Sequence, residues 1–134
     1  MTRLNRRQFT GLLATTGLLL SARAALAQDT DTIRIGFCSP RTGPLAGFGK
    51  TDGYVLEQVR AALTGGIEVA GKTYAVEILD RDTQSDPARA AQLAKDLIND
   101  GIDLMLAVST PEVINPVSDA CEAAGVPCLS TVMP

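Results

Sequence analysis

From residue 32 to residue 130 the chain alternates short β-branched or apolar runs with segments of helical spacing. That alternation limits the fold more than any other feature. Thr32-Ile33-Arg34-Ile35-Gly36-Phe37-Cys38 has strand composition, and Ser39-Pro40-Arg41-Thr42-Gly43-Pro44 is turn chemistry. Between Phe48 and Leu63, the positions Val55, Leu56, Val59, Ala62 and Leu63 fall on one helical face. Ile67 to Val69, Ala70-Gly71-Lys72 and Thr73 to Leu79 predict a hairpin that feeds a second core strand.

The pattern then repeats. Ser85 or Asp86 caps a helix whose first residue is Pro87. Its buried stripe is predicted at Ala91, Ala94, Leu97 and Ile98, and Gly101 closes it. Leu104 to Val108 is a continuous apolar run, expected of a strand covered on both faces. A third helix is predicted from near Pro111, disturbed around Pro116, and ending at Gly125. Pro127 to Ser130 begins a further strand. Strands separated by helices imply an α/β fold, a doubly wound parallel sheet with helices on both faces.

The first 27 residues read differently. They hold four Arg (Arg3, Arg6, Arg7, Arg23) and no acid, whereas the other 107 residues carry 8 basic and 15 acidic side chains. Phe9 to Ala22 is apolar but shorter than the roughly 20 residues a membrane helix needs. Ala25-Leu26-Ala27 fits an A-x-A cleavage pattern, so residues 1–27 are expected to be a signal peptide cut after Ala27. Arg6-Arg7-Gln8-Phe9 resembles the twin-arginine export motif of bacteria. Residues 28–134 are then the mature, exported part, expected in the periplasm.

Composition removes whole classes of function. The 134 residues contain no His, which excludes His-based triads and His-ligated metals. Three Cys are too few for a four-thiolate metal site, and a net charge of -3 gives no basic footprint for nucleic acid. No cofactor or metal is expected. Two motifs mislead. Gly43 to Thr51 looks like a phosphate loop, but five residues rather than four separate its first Gly from Gly49-Lys50-Thr51. Gly47, Gly49 and Gly53 lack the tight turn after strand one that dinucleotide binding needs. Asp80 and Asp82 are expected in a solvated loop and are assigned no catalysis.

In open parallel sheets, ligands bind beyond the carboxyl ends of the strands. Here those positions are Ser39 to Gly49, Asp80 to Gln84, Val108 to Pro111, and Ser130 to Val132. Ser109 and Thr110 lie where a helix begins, so they either bind an anion there or cap the helix.

The segment resembles the periplasmic substrate-binding proteins of branched-chain amino acid (leucine/isoleucine/valine-binding protein) type ABC transporters. The carrying residues are Ile33 to Ala46 with Gly49, Asp80-Arg81-Asp82-Thr83-Gln84-Ser85-Asp86-Pro87 with Ala90-Ala91, and Gly125-Val126-Pro127 before Ser130. The resemblance implies two α/β lobes that close on a ligand, of which this chain carries most of the N-terminal one, apparently truncated. It implies ligand contacts from Ser109 and Thr110, from Ser130 and Thr131, and from Phe48. The implied role is capture of an amino acid or a related small carboxylate or amide, and its delivery to an ABC transporter membrane permease, with no enzymatic step. A monomer is implied for the full-length protein, and weak or absent binding for this segment alone. The alternative on the same fold is the sensory lobe of a receptor or regulator.

Val132, Met133 and Pro134 stand where many members of that family carry a further Thr or Asp. The partner of a ligand ammonium is therefore open. Cys121 and Cys128 flank the turn at Gly125, and are expected either to bridge in an oxidising compartment or to pack as buried thiols. Cys38 is expected as a buried free thiol.

Overall fold

The computed structural model describes residues 31–131. Five strands form one sheet: β1 (Thr32–Ser39), β2 (Ile67–Val69), β3 (Lys72–Asp82), β4 (Leu104–Ala107) and β5 (Cys128–Ser130). The helices are α1 (Ala46–Gly49), α2 (Asp52–Ala62), α3 (Pro87–Asn99) and α4 (Pro111–Ala124). Strand order is β2-β3-β1-β4-β5. β1 runs parallel to β3 and β4, and β4 runs parallel to β5. β2 alone is antiparallel, because a two-residue turn joins it to β3. Ala70 and Gly71 both take positive φ there, as such a tight turn requires.

The two sheet faces are unequally covered. On one, α3 and α4 bury Cys38, Ala90, Ala94, Leu97, Met105, Ala107, Val113, Ile114, Val117 and Cys121. On the other, the smaller cluster is Phe37, Leu56 and Val108 with Ile78 and Leu106 against it. The continuous apolar run of β4 is thus fully buried only at Met105 and Ala107, while Leu104 and Leu106 are half-buried. Among the described residues, α2 contributes a single buried residue, Leu56, to that second face.

The predicted helix 48–63 is two helices. Gly49 marks the break: a Cβ there would sit 2.6 Å from the Pro40 carbonyl oxygen, so the chain passes too close to β1's exit for a side chain. The predicted stripe is also thinner than the periodicity implies, since Val55 and Val59 are exposed.

In α3, Asp86 is the cap, accepting from the Arg89 amide at 2.8 Å, and Pro87 is the first helical residue. Ala94 and Leu97 are buried as predicted, but in the first turns Ala90 rather than Ala91 is fully buried, and Ile98 is half-buried. α4 starts at Pro111 behind Thr110 and continues through Pro116, which lacks an amide to donate within the helix. Gly125 ends it at φ 70, and the Val126 amide reaches back to the Cys121 carbonyl at 3.0 Å.

Candidate functional site

The carboxyl ends of the strands are organised by two aspartates that the sequence suggested were merely solvated. Asp82 Oδ1 accepts from the amides of Arg41 at 3.0 Å, Thr42 at 3.2 Å and Gln84 at 2.9 Å. Its Oδ2 accepts from Thr42 Oγ1 at 2.7 Å. Burial pushes this carboxyl up, but the hydrogen bonds from Thr42, Gln84 and Arg41 outweigh it and hold the pKa below the ordinary aspartate value. Asp80 sits between Arg41 and Arg60, each with a guanidinium nitrogen 2.6 Å from a carboxylate oxygen. There too burial raises the pKa, and the Arg60 hydrogen bond with the charges of Arg41 and Arg60 lowers it further than burial raises it. Asp80 is thus an ion-pair hub that joins the loop after β1 to α2.

Ser85 completes the scaffold. Its hydroxyl donates to the Thr42 carbonyl at 2.7 Å and accepts from the Leu45 amide at 3.0 Å. The loop from 40 to 45 is thereby fastened to the loop from 83 to 86, and α1 is presented at the end of the sheet.

A cleft of about 410 Å³ opens there, lined by Phe37, Phe48, Asp52, Val55, Val108, Ser109 and Thr131. It gathers the end of β1, the residues just after β4 and β5, α1 and the first turns of α2. Ser109 has φ 88, unusual for a residue with a side chain, and its hydroxyl donates to the Phe48 carbonyl at 3.5 Å. Among the described residues, the Ser109 and Thr110 amides enter no backbone hydrogen bond. Phe48 is 64% exposed, its ring free to meet a partner.

The five predicted contact residues separate. Ser109, Thr131 and Phe48 line the cleft. Thr110 is buried beside it; its carbonyl accepts from the Val113 and Ile114 amides, and its hydroxyl has no protein partner. Ser130 lies on the edge strand β5, exposed, and does not line the cleft. Val108 falls within the strand-end positions read from the sequence, whereas Asp52, Val55 and Phe37 were not predicted as site residues. Strand alternation would have found Phe37, but Asp52 reads there as an ordinary first-turn acid.

The bridge between Cys121 and Cys128 is not formed: Cys38, Cys121 and Cys128 are all free thiols. Burial pushes Cys38 and Cys121 up to about 12, helped in Cys121 by the neighbouring Cys128 thiol. Cys128 instead shares a contact of 3.7 Å with the Ser118 hydroxyl. The expected export signal, with Arg6, Arg7 and the cut after Ala27, lies outside the described residues, as do Val132 to Pro134.

Comparison with known proteins gives this architecture a context. The leucine-, isoleucine-, valine-, threonine- and alanine-binding protein of Pseudomonas aeruginosa is 26% identical over 114 residues, covering 81% of this chain and 29% of that protein. A Leu/Ile/Val-binding protein homolog of Brucella melitensis is 29% identical over 99 residues, covering 70% of this chain and 25% of its own length. Among solved structures, the branched-chain amino acid transporter substrate-binding protein of Streptococcus pneumoniae, in complex with isoleucine, superposes with a TM-score of 0.62 at 28% identity. That match covers 74% of this chain and 28% of the other. The chain thus spans less than a third of the length of each of these relatives. Residues 32–133 match the periplasmic binding protein family, so the chain belongs to that family.

Proposed function

We propose that the chain carries the N-terminal ligand-binding surface of an exported solute-binding protein, which captures an amino acid or a related small carboxylate or amide and hands it to an ABC permease. The observation that supports this best is the cleft at the strand ends. Its walls, Phe37, Phe48, Val55 and Val108, suit an apolar side chain. The Ser109 and Thr110 amides, which enter no backbone hydrogen bond among the described residues, suit a carboxylate together with the Ser109 and Thr131 hydroxyls. The amino acids named for the Pseudomonas relative and the isoleucine in the Streptococcus structure fit the same chemistry. Closure of a second lobe over the site would supply the remaining contacts, so binding by this chain alone is weak. Residues 1–27 act as a twin-arginine signal peptide cut after Ala27, and the protein works in the periplasm as a monomer.

A titration of the isotopically labelled chain with L-isoleucine, L-leucine and L-valine, followed by NMR, tests the site. Shifts concentrated at Ser109, Thr110, Thr131 and Phe48 are expected. Shifts confined to other surfaces, or none at about 50 mM ligand, would overturn it. N-terminal sequencing of the exported product tests the cut, which should leave Gln28 first.

A further inference from the structure

Asp52 is the one charged residue among those lining the cleft. It belongs to no ion pair among the described residues. Its Oδ2 is shut off from solvent and accepts no hydrogen bond from the described residues. The other aspartates at this end of the sheet are treated differently: Asp80 has two guanidinium partners and Asp82 four hydrogen bonds. A half-desolvated carboxylate without a donor is costly, and the cost falls when a cation approaches. The start of α2 gives Asp52 a favourable dipole, but that field supplies no hydrogen to Oδ2.

We infer that Asp52 is the counter-charge for a protonated nitrogen on the ligand, and so selects ammonium-bearing compounds over plain carboxylates. This rests on the cleft being the ligand site. The cleft then offers both signs: the Ser109 amide with the Ser109 and Thr131 hydroxyls takes the ligand's anion, and Asp52 takes its cation. The apolar walls between them hold its carbon skeleton.

The test uses the purified chain, titrated by NMR with L-isoleucine, L-leucine, L-valine, L-threonine and L-alanine, each paired with its deaminated carboxylic acid. The unmutated chain is expected to prefer each amino acid over its deaminated partner by about 10-fold or more. Asp52→Asn should lose about 10- to 100-fold in affinity for the amino acids and less than about 2-fold for the deaminated acids. The amide spectrum of Asp52→Asn reports whether it is folded; if it is not, the preference of the unmutated chain decides alone. Equal binding of both compound classes, or amino-acid affinity unchanged in folded Asp52→Asn, overturns the role of Asp52 and leaves the cleft as the site. Binding of neither class overturns both readings.

Discussion

Thr42 is tied to Asp82 twice, through its hydroxyl at 2.7 Å and its amide at 3.2 Å. Thr42 lies in the loop after β1 and Asp82 ends β3, 40 positions along the chain, and the double contact fixes the segment that carries Phe48 into the cleft. Asp82→Asn removes the charge that strengthens both bonds. It should cost about 1–3 kcal/mol of stability, read as a lower urea midpoint at unchanged slope.

Acid should loosen the same region. Asp80 and Asp82 both have folded-state pKa values below the ordinary aspartate value. Their contribution is complete above about pH 4, where the unfolded chain is also ionised, and is lost as pH falls through the folded values. Urea midpoints should therefore drop steeply below about pH 4, and less steeply in Asp82→Asn. An identical acid limb in that variant would contradict this.

Gly43→Ala should destabilise the chain by more than about 1 kcal/mol. The position has φ 86, and an added Cβ would meet the Gln84 carbonyl oxygen at 2.4 Å. By contrast, Gly47→Ala places its Cβ in open space and should be close to neutral. Thermal unfolding of the two variants side by side separates the predictions.

The two sheet faces should respond unequally to truncation. Leu97 is completely buried between α3 and the sheet, so Leu97→Ala should cost about 2–5 kcal/mol. Val59, 37% exposed on α2, should cost less than about 1 kcal/mol when cut to Ala. Equal losses would mean that α2 packs more closely than its exposure indicates.

Thiol chemistry gives an independent check of the core. Cys38 and Cys121, each raised to about 12, should resist alkylation at pH 8 in the native chain and react on unfolding. Their burial as neutral thiols stabilises the fold below about pH 8.5, the unfolded thiol value, and that contribution fades as pH rises toward the folded values. Rapid native labelling of Cys121 would refute its placement.

Much of this was legible in advance because it is local. The hairpin turn at Ala70-Gly71, the Asp86-Pro87 helix start and the Gly125 stop each depend on a few neighbouring residues with fixed conformational preferences. The break at Gly49 was not legible, since it depends on the Pro40 carbonyl approaching from another element. The thin stripe of α2 was equally hidden, because periodicity shows which residues share a face but not what lies opposite.

The sequence by itself determined the α/β alternation, and it named Ser109, Phe48 and Thr131, which line one cleft beyond the strand ends. Those follow from chain order and from the short-range chemistry of strands, turns and caps. Only the tertiary structure decided that Asp80 and Asp82 are fastened while Asp52 is left without a donor. Which acid finds a guanidinium or an amide depends on contacts between residues far apart in the chain, and no local pattern encodes that choice.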